Sequence, residues 1–114
     1  MKENVLLCRS ISFAVRIVNL GKYLREQKEY ILSDQIVRSG TSIGANAHEA
    51  QGAQSRSDFL SKMNIALKEA FETDYWLTIL KETNYLTEQE YESIVSDCKE
   101  LVRLLNAIVK TTKD

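Results

Sequence analysis

The sequence predicts an all-α fold: an antiparallel up-down-up-down four-helix bundle that occupies the whole chain, 1–114, as one domain. Three observations carry that prediction. Proline is absent and only four glycines occur among 114 residues, so no position forces a helix to break. Apolar residues recur at steps of three and four in four separate stretches. The segments between those stretches are a few residues long, which sets consecutive helices side by side and opposite in direction. Apolar residues make up 44% and charged residues 27% of the chain, a balance that supports one packed core and argues against intrinsic disorder.

The first helix is expected from Val5 to about Lys28. Leu6, Phe13, Ile17, Leu20 and Leu24 form its core stripe, and Leu7, Ile11, Ala14, Val15 and Val18 form a second stripe beside it. Together they cover more than half the circumference, whereas packing within one bundle takes an apolar stripe of a little over ~100°. The excess predicts burial on a second side, most simply against another copy of the chain.

The second helix is expected to restart around Ser33, with Ser33 or Asp34 as its cap. Ile36, Gly40, Ile43, Ala47 and Ala50 then repeat as a seam. Gly40, Gly44 and Ala47 let a neighbouring helix approach closely, at about 1 kcal/mol of helix propensity per glycine, so this helix is expected to be central. A turn over 52–57 follows, where Ser55 and Asp58 stand at capping-box spacing with Asp in place of the usual Glu. The third helix runs its seam through Phe59, Met63, Ala66, Ala70, Thr73, Leu77 and Leu80 and ends near Asn84. Thr87 and Glu90 open the fourth helix as a capping box, and Tyr91, Ile94, Cys98, Leu101, Leu105 and Ile108 give it a regular stripe.

Catalytic and metal chemistry find little support. A di-iron carboxylate site in a helical bundle needs two Glu-x-x-His motifs, and His48 is the only histidine, with Ala45 three residues before it. His48 reads as a surface or interface residue. No Ser or Cys has a motif that supplies a base, and Gly40 and Gly44 lie in a helical seam, not in a phosphate-binding loop. Catalytic residues, metal ligands and cofactors are therefore expected to be none, and the chain is not expected to be an enzyme. Cys8 and Cys98 stand at no metal-ligand spacing and read as buried thiols. No uninterrupted apolar run approaches the ~20 residues that span a bilayer, and no secretory signal opens the chain, so a cytoplasmic protein without a membrane partner is expected.

Two polar patterns stand out. Gln35, Ser39, Ser42, Asn46 and Glu49 share a stripe of the second helix, and Glu69, Glu72 and Trp76 share one of the third, with Arg38 able to join them. Paired carboxylates can serve acid catalysis. An Arg and Glu network that fixes helix register is the favoured reading, because nothing nearby resembles a substrate-binding device. The second pattern is basic. Lys2, Arg9 and Arg16 recur by sevens on one face of the first helix, with Lys22, Arg25 and Lys28 at its end. Against Glu3, Glu26 and Glu29 these six leave a local excess of three, although the whole chain has a net charge of −1. Repeated around a ring, Lys2, Arg9, Arg16, Lys22 and Arg25 form a candidate nucleic-acid surface.

The blocks Arg38-Ser39-Gly40-Thr41-Ser42-Ile43-Gly44-Ala45-Asn46 and Ile65-Ala66-Leu67-Lys68-Glu69-Ala70, followed by Glu72 and Tyr75-Trp76-Leu77, resemble a bacterial four-helix-bundle family. It is named for proteins encoded in intervening sequences of large-subunit ribosomal RNA genes. The likeness runs from Phe13 to about Leu105 and includes Glu49-Ala50, Ser55 to Phe59 and Lys62. The resemblance implies a homopentamer of bundles packed side by side. Among its relatives are accessory subunits of diversity-generating retroelements, basic pentamers that bind reverse transcriptase and nucleic acid. This chain departs from them in its slightly acidic charge, and Ala47-His48 departs from the larger aliphatic and small residue expected after the asparagine. The residues the family shares, here Arg38, Ser42, Asn46, Glu49, Glu69, Glu72, Tyr75 and Trp76, are expected to be architectural. The expected function is that of a non-enzymatic homo-oligomeric scaffold or accessory protein, with RNA or DNA, a reverse transcriptase or a ribosome-associated protein as partner. A protein-binding adaptor that makes no nucleic-acid contact is the alternative.

Overall fold

The structure, a computed structural model, describes residues 2–113, with the backbone alone for Lys2. Four helices, α1 (Lys2–Glu26), α2 (Tyr30–Ala50), α3 (Arg56–Glu82) and α4 (Glu88–Lys113), account for nearly all of it, and no strand occurs among the described residues. The molecule measures 44 × 22 × 19 Å. At 1.5 Å per residue, α3 alone spans ~40 Å, so the bundle is one helix long and two helices wide.

Each helix packs on its neighbours in chain order and α4 closes back on α1, which leaves α1–α3 and α2–α4 as diagonals. Every adjacent pair is antiparallel, because contacts that climb one helix descend the other. Gly21 and Ser10 of α1 meet Ser33 and Gly44 of α2. Thr78, Ala70 and Arg56 of α3 meet Tyr91, Cys98 and Thr112 of α4. The expected core stripes fill the centre: Leu6, Phe13, Ile17 and Leu24 of α1, Ile36 and Ile43 of α2, Met63, Leu77 and Leu80 of α3, and Leu101 and Leu105 of α4 are fully buried.

The small-residue seam of α2 receives α1. A methyl group at Gly40 would lie 2.7 Å from Ile17 Cγ2, and one at Gly44 would lie 2.9 Å from Ser10 Oγ, both inside van der Waals contact. Side chains at these two positions would push the helices apart.

The helix ends show where local chemistry departs from expectation. The first connection falls earlier than Ser33. Helix α1 stops at Glu26, Lys28 takes a left-handed conformation (φ 64°), and Glu29 caps α2 by accepting from Leu32 N at 3.3 Å. Ser33 is buried one turn inside α2 and donates to Gly21 O at 2.9 Å, while Asp34 is exposed and pairs with Arg25. Capping is the commonest helical use of serine, but here a buried carbonyl of α1 claims the hydroxyl instead. The next turn is also shorter than 52–57, since α3 begins at Arg56 with Ser55 as its cap. Ser55 Oγ accepts from Asp58 N at 3.0 Å, and Asp58 reaches back to Gln54 N, one residue further than a capping-box Glu would. Thr87 and Glu90 form the full reciprocal box, at 3.1 and 2.8 Å.

Of the two cysteines, only Cys98 is buried. Its thiol donates to Ala70 O at 3.4 Å, and burial pushes its pKa up to about 12. Cys8 is exposed on α1, because its position falls on the outer of that helix's two stripes. Helix α1 is also long and apolar enough, by length and composition, to be a membrane-span candidate. One of its faces, however, is core, and two of its arginines, Arg9 and Arg16, pair with α4.

Candidate functional site

Helix α2 has two outer edges, and each meets a different environment. On the α3 side the two sequence stripes converge. The Arg38 guanidinium donates through Nη1 to Glu69 Oε2 at 3.0 Å and through Nη2 to Glu72 Oε2. Trp76 Nε1 donates to the same Glu72 oxygen at 2.9 Å. Glu69 is only 17% exposed at its side chain, and that guanidinium is its ion-pair partner. Beneath this layer the buried hydroxyls of Ser39 and Thr73 meet at 2.9 Å. The edge is polar and satisfied within one chain.

The other shared residues extend this lock or serve their own helix. Ser42 Oγ donates to Arg38 O at 2.6 Å and Asn46 Nδ2 to Ser42 O at 2.8 Å, so both turn back onto α2. Glu49 accepts from Lys62 Nζ at 3.1 Å, a second tie between α2 and α3. Tyr75 sets its ring edge-on to Trp76, with centroids 5.0 Å apart. The Ser39–Thr73 pair is the member that sequence reasoning misses as a pair. Its signal is a lone Thr in an otherwise apolar seam, facing a Ser stripe. Among the described residues no three His, Cys, Asp or Glu side chains gather as a metal ion would require.

On the α1 side, α2 presents Thr41, Gly44, Ala45 and His48 across from Ile11, Ala14, Val15 and Val18 of α1. These residues line an open, mostly apolar groove of about 450 Å³. Ile11 is 54% and Val15 56% exposed, far from the burial their neighbours one stripe away enjoy. Ile11, Val15 and Val18 of the second apolar stripe of α1 are thus uncovered within a single chain, while Leu7 packs partly against the core. A separate pair, Phe71 and Tyr75, stands exposed one turn apart on α3.

Of the five basic positions singled out on α1, the four whose side chains the structure describes do not share one surface. Arg16 donates through Nη1 to Asp97 at 2.7 Å and through Nη2 to Ser93 Oγ at 3.1 Å, and Arg9 lies 3.4 Å from Glu100. Both therefore turn toward α4 and lace the α1–α4 seam. Arg25 pairs with Asp34 at 3.1 Å and lies over the Tyr30 ring. Lys22 is exposed at the end of the apolar groove, and the Lys2 side chain lies outside the described residues.

These features define a class: a single-chain helical bundle with a polar lock on one edge of its second helix and an uncovered apolar lip on the other. Residues 2–107 match the family described as 23S rRNA-intervening sequence protein, and the chain belongs to that family. It is also similar in structure to a protein of unknown function from the S23 ribosomal protein family of Bacteroides thetaiotaomicron. The two share 59% identity and a TM-score of 0.94, over 96% of this chain and 99% of that one. Among curated proteins no relative matches.

Proposed function

We propose that this protein is a non-enzymatic homo-oligomeric scaffold or accessory protein whose copies join through the apolar lip between α1 and α2. The observation that carries this reading is the exposure of Ile11, Val15 and Val18 beside a groove floored by Gly44 and edged by Ala45. An uncovered apolar face of this kind marks an association surface. A ring needs two different faces on each copy, and Phe71 with Tyr75 on α3 supply a second exposed apolar group. The homopentamer implied by the family resemblance is the expected closed form. A non-catalytic role accords with the capture of both Glu69 and Glu72 by Arg38, which leaves neither carboxylate unencumbered as an acid or base.

The partner of the assembled ring, in this reading, is RNA or DNA in the cytoplasm. The adaptor alternative has one observation on its side, since Arg9, Arg16 and Arg25 already hold carboxylates of their own chain. Light scattering at micromolar concentration tests the scaffold: a mass near five chains is expected, and Val15→Glu should reduce it to one. A folded wild-type monomer at that concentration would remove the proposal. Nucleic-acid titration at several salt concentrations then separates the two partners, because phosphate binding weakens steeply with salt and apolar docking does not.

A further inference from the structure

The outward face of α4 divides by charge. Its first two turns carry Glu88 and Glu92, and from Lys99 onward it carries Lys99, Arg103, Lys110 and Lys113. These four cations, with Asn106 between them, recur at steps of four and three, so they stand in one row directly away from the core, and all five residues are exposed. From Leu101 to Lys113 the helix has no carboxylate. Lys99, Lys110 and Lys113 have no ion-pair partner among the described residues. Arg103 holds Glu100, but Arg9 of α1 shares that same carboxylate, so the cluster around Glu100 keeps a net positive charge. Arg56 adds a further cation at the end of the row, where its Nε donates to Thr112 O at 2.7 Å.

The helix dipole does not account for this row. Its favourable field on cations is confined to the last turn, which covers Lys110 and Lys113 and leaves Lys99 and Arg103 well outside it. Nor does the row cover the bundle's core, as each of its members faces solvent. From Lys99 to Lys113 the line is ~21 Å long, enough to follow several successive phosphates of a polynucleotide. The exposed aromatics among the described residues lie on the other helices, at Tyr23, Tyr30, Phe71 and Tyr75, so the row offers charge without a stacking platform. Helix α4 is also diagonal to α2. A ring joined through the α1–α2 lip leaves the row open and repeats it once per copy.

We infer that the exposed basic row of α4, Lys99, Arg103, Lys110 and Lys113, is a binding site for the phosphate backbone of a nucleic acid. The inference rests on the nucleic-acid arm of the proposed function and moves its contact surface from α1 to α4. Binding there follows charge and spacing, so it is independent of base sequence.

The test titrates fluorescent single-stranded RNA and a DNA duplex with the full-length protein across a salt series. The wild type is compared with Lys99→Gln/Lys110→Gln/Lys113→Gln and with Arg9→Gln/Arg16→Gln, all matched for mass and melting temperature. The lysine variant should bind whichever nucleic acid is preferred at least tenfold more weakly. Its salt slope should fall by about 0.7–0.9 for each phosphate it no longer neutralises, while the α1 variant stays near wild type. Unchanged binding by the lysine variant overturns the α4 site, and weakened binding in the α1 variant alone returns the surface to α1 with the nucleic-acid reading intact. If a folded, assembled protein binds neither nucleic acid at low salt, both inferences fall, and binding to polyglutamate in that case assigns the row to an acidic protein partner.

Discussion

The two outer edges of α2 are built from the same helix and reach the surface at opposite sides, yet one is complete and the other is not. Toward α3 the edge ends in Arg38, Glu69, Glu72 and Trp76, whose hydrogen bonds close on one another. Toward α1 it ends in Thr41, Ala45 and His48, facing Ile11 and Val15, which remain more than half exposed. Both edges sit above tightly packed seams, so packing quality does not separate them. The difference lies in the outermost layer. A polar outer layer that satisfies itself ends an interface within the chain, whereas an apolar outer layer leaves a face open to association.

The sharpest way to break this comparison is to load the inner and outer sides of the α1–α2 seam separately. Gly40→Leu places a side chain where Ile17 already stands, and overpacking of that kind costs about 3 kcal/mol at its upper end. Ala45→Leu enlarges an exposed outer residue and should leave the stability of a single chain within about 0.5 kcal/mol of wild type. Urea unfolding midpoints check both. Equal effects would mean that the seam is no tighter inside than outside.

Next in size is the polar edge. Arg38→Ala leaves the half-buried Glu69 and Glu72 beside each other without a cation. The expected destabilisation is about 1–2 kcal/mol, between the value of under ~1 for an exposed pair and the ~3–5 of a fully buried one. Trp76 fluorescence should shift with it, because its indole N–H shares the Glu72 oxygen. Oligomer mass should not change. If the mass fell while the melting temperature held, the polar edge would belong to an interface between copies, and the contrast between the two edges would be reversed.

The apolar edge has a built-in reporter. Cys8 precedes Ile11, Val15 and Val18 by three, seven and ten residues, so it stands on the same stripe of α1. In isolated chains Cys8 should react with a thiol reagent at neutral pH within minutes, whereas buried Cys98, with its pKa raised to about 12, should not react until the chain unfolds. Assembly through the lip should slow Cys8 several-fold, and Val15→Glu should restore its rate. A Cys8 rate identical in wild type and Val15→Glu would place the contact between copies elsewhere.

How much of this is legible in the sequence follows from what each residue has to signal. The four helices and their core stripes are, because periodicity survives whatever the tertiary context. So is the polar lock, whose members lie on matching stripes of consecutive helices. The first connection is not. Ser33 carries the local signature of a cap, and only the approach of Gly21 O makes it an internal donor. The ion pairs of the α1 basic face stay hidden for a related reason: spacing by sevens places Arg9 and Arg16 on one face but does not reveal that Asp97 and Glu100 of a distant helix stand opposite. The α4 row is readable from its spacing and from the lack of carboxylates between Leu101 and Lys113. It is hidden by the helix's strong apolar stripe and by the acidic residues from Glu88 to Asp97 that offset its charge.

The smallest expected effect concerns the α1–α4 seam, which is closed by charge where the α1–α2 seam is closed by close backbone contact. The hydrogen bond from Arg103, reinforced by its charge and that of Arg9, holds the Glu100 carboxyl below the usual carboxylate range. The unfolded chain therefore binds the proton at Glu100 more readily than the folded one. Stability from this residue is fully present above the unfolded pKa and is lost as pH falls through the lower folded value. Glu100→Gln removes the titrating group, so its stability should fall less steeply than that of wild type over that acid range, with the two curves running parallel above it. Because the carboxylate meets solvent, the difference should be small and should shrink in high salt. Superimposable acid limbs at low salt would show that Arg9 and Arg103 do not hold Glu100 in the folded chain, and the α1–α4 seam would then rest on the Arg16 contacts with Asp97 and Ser93.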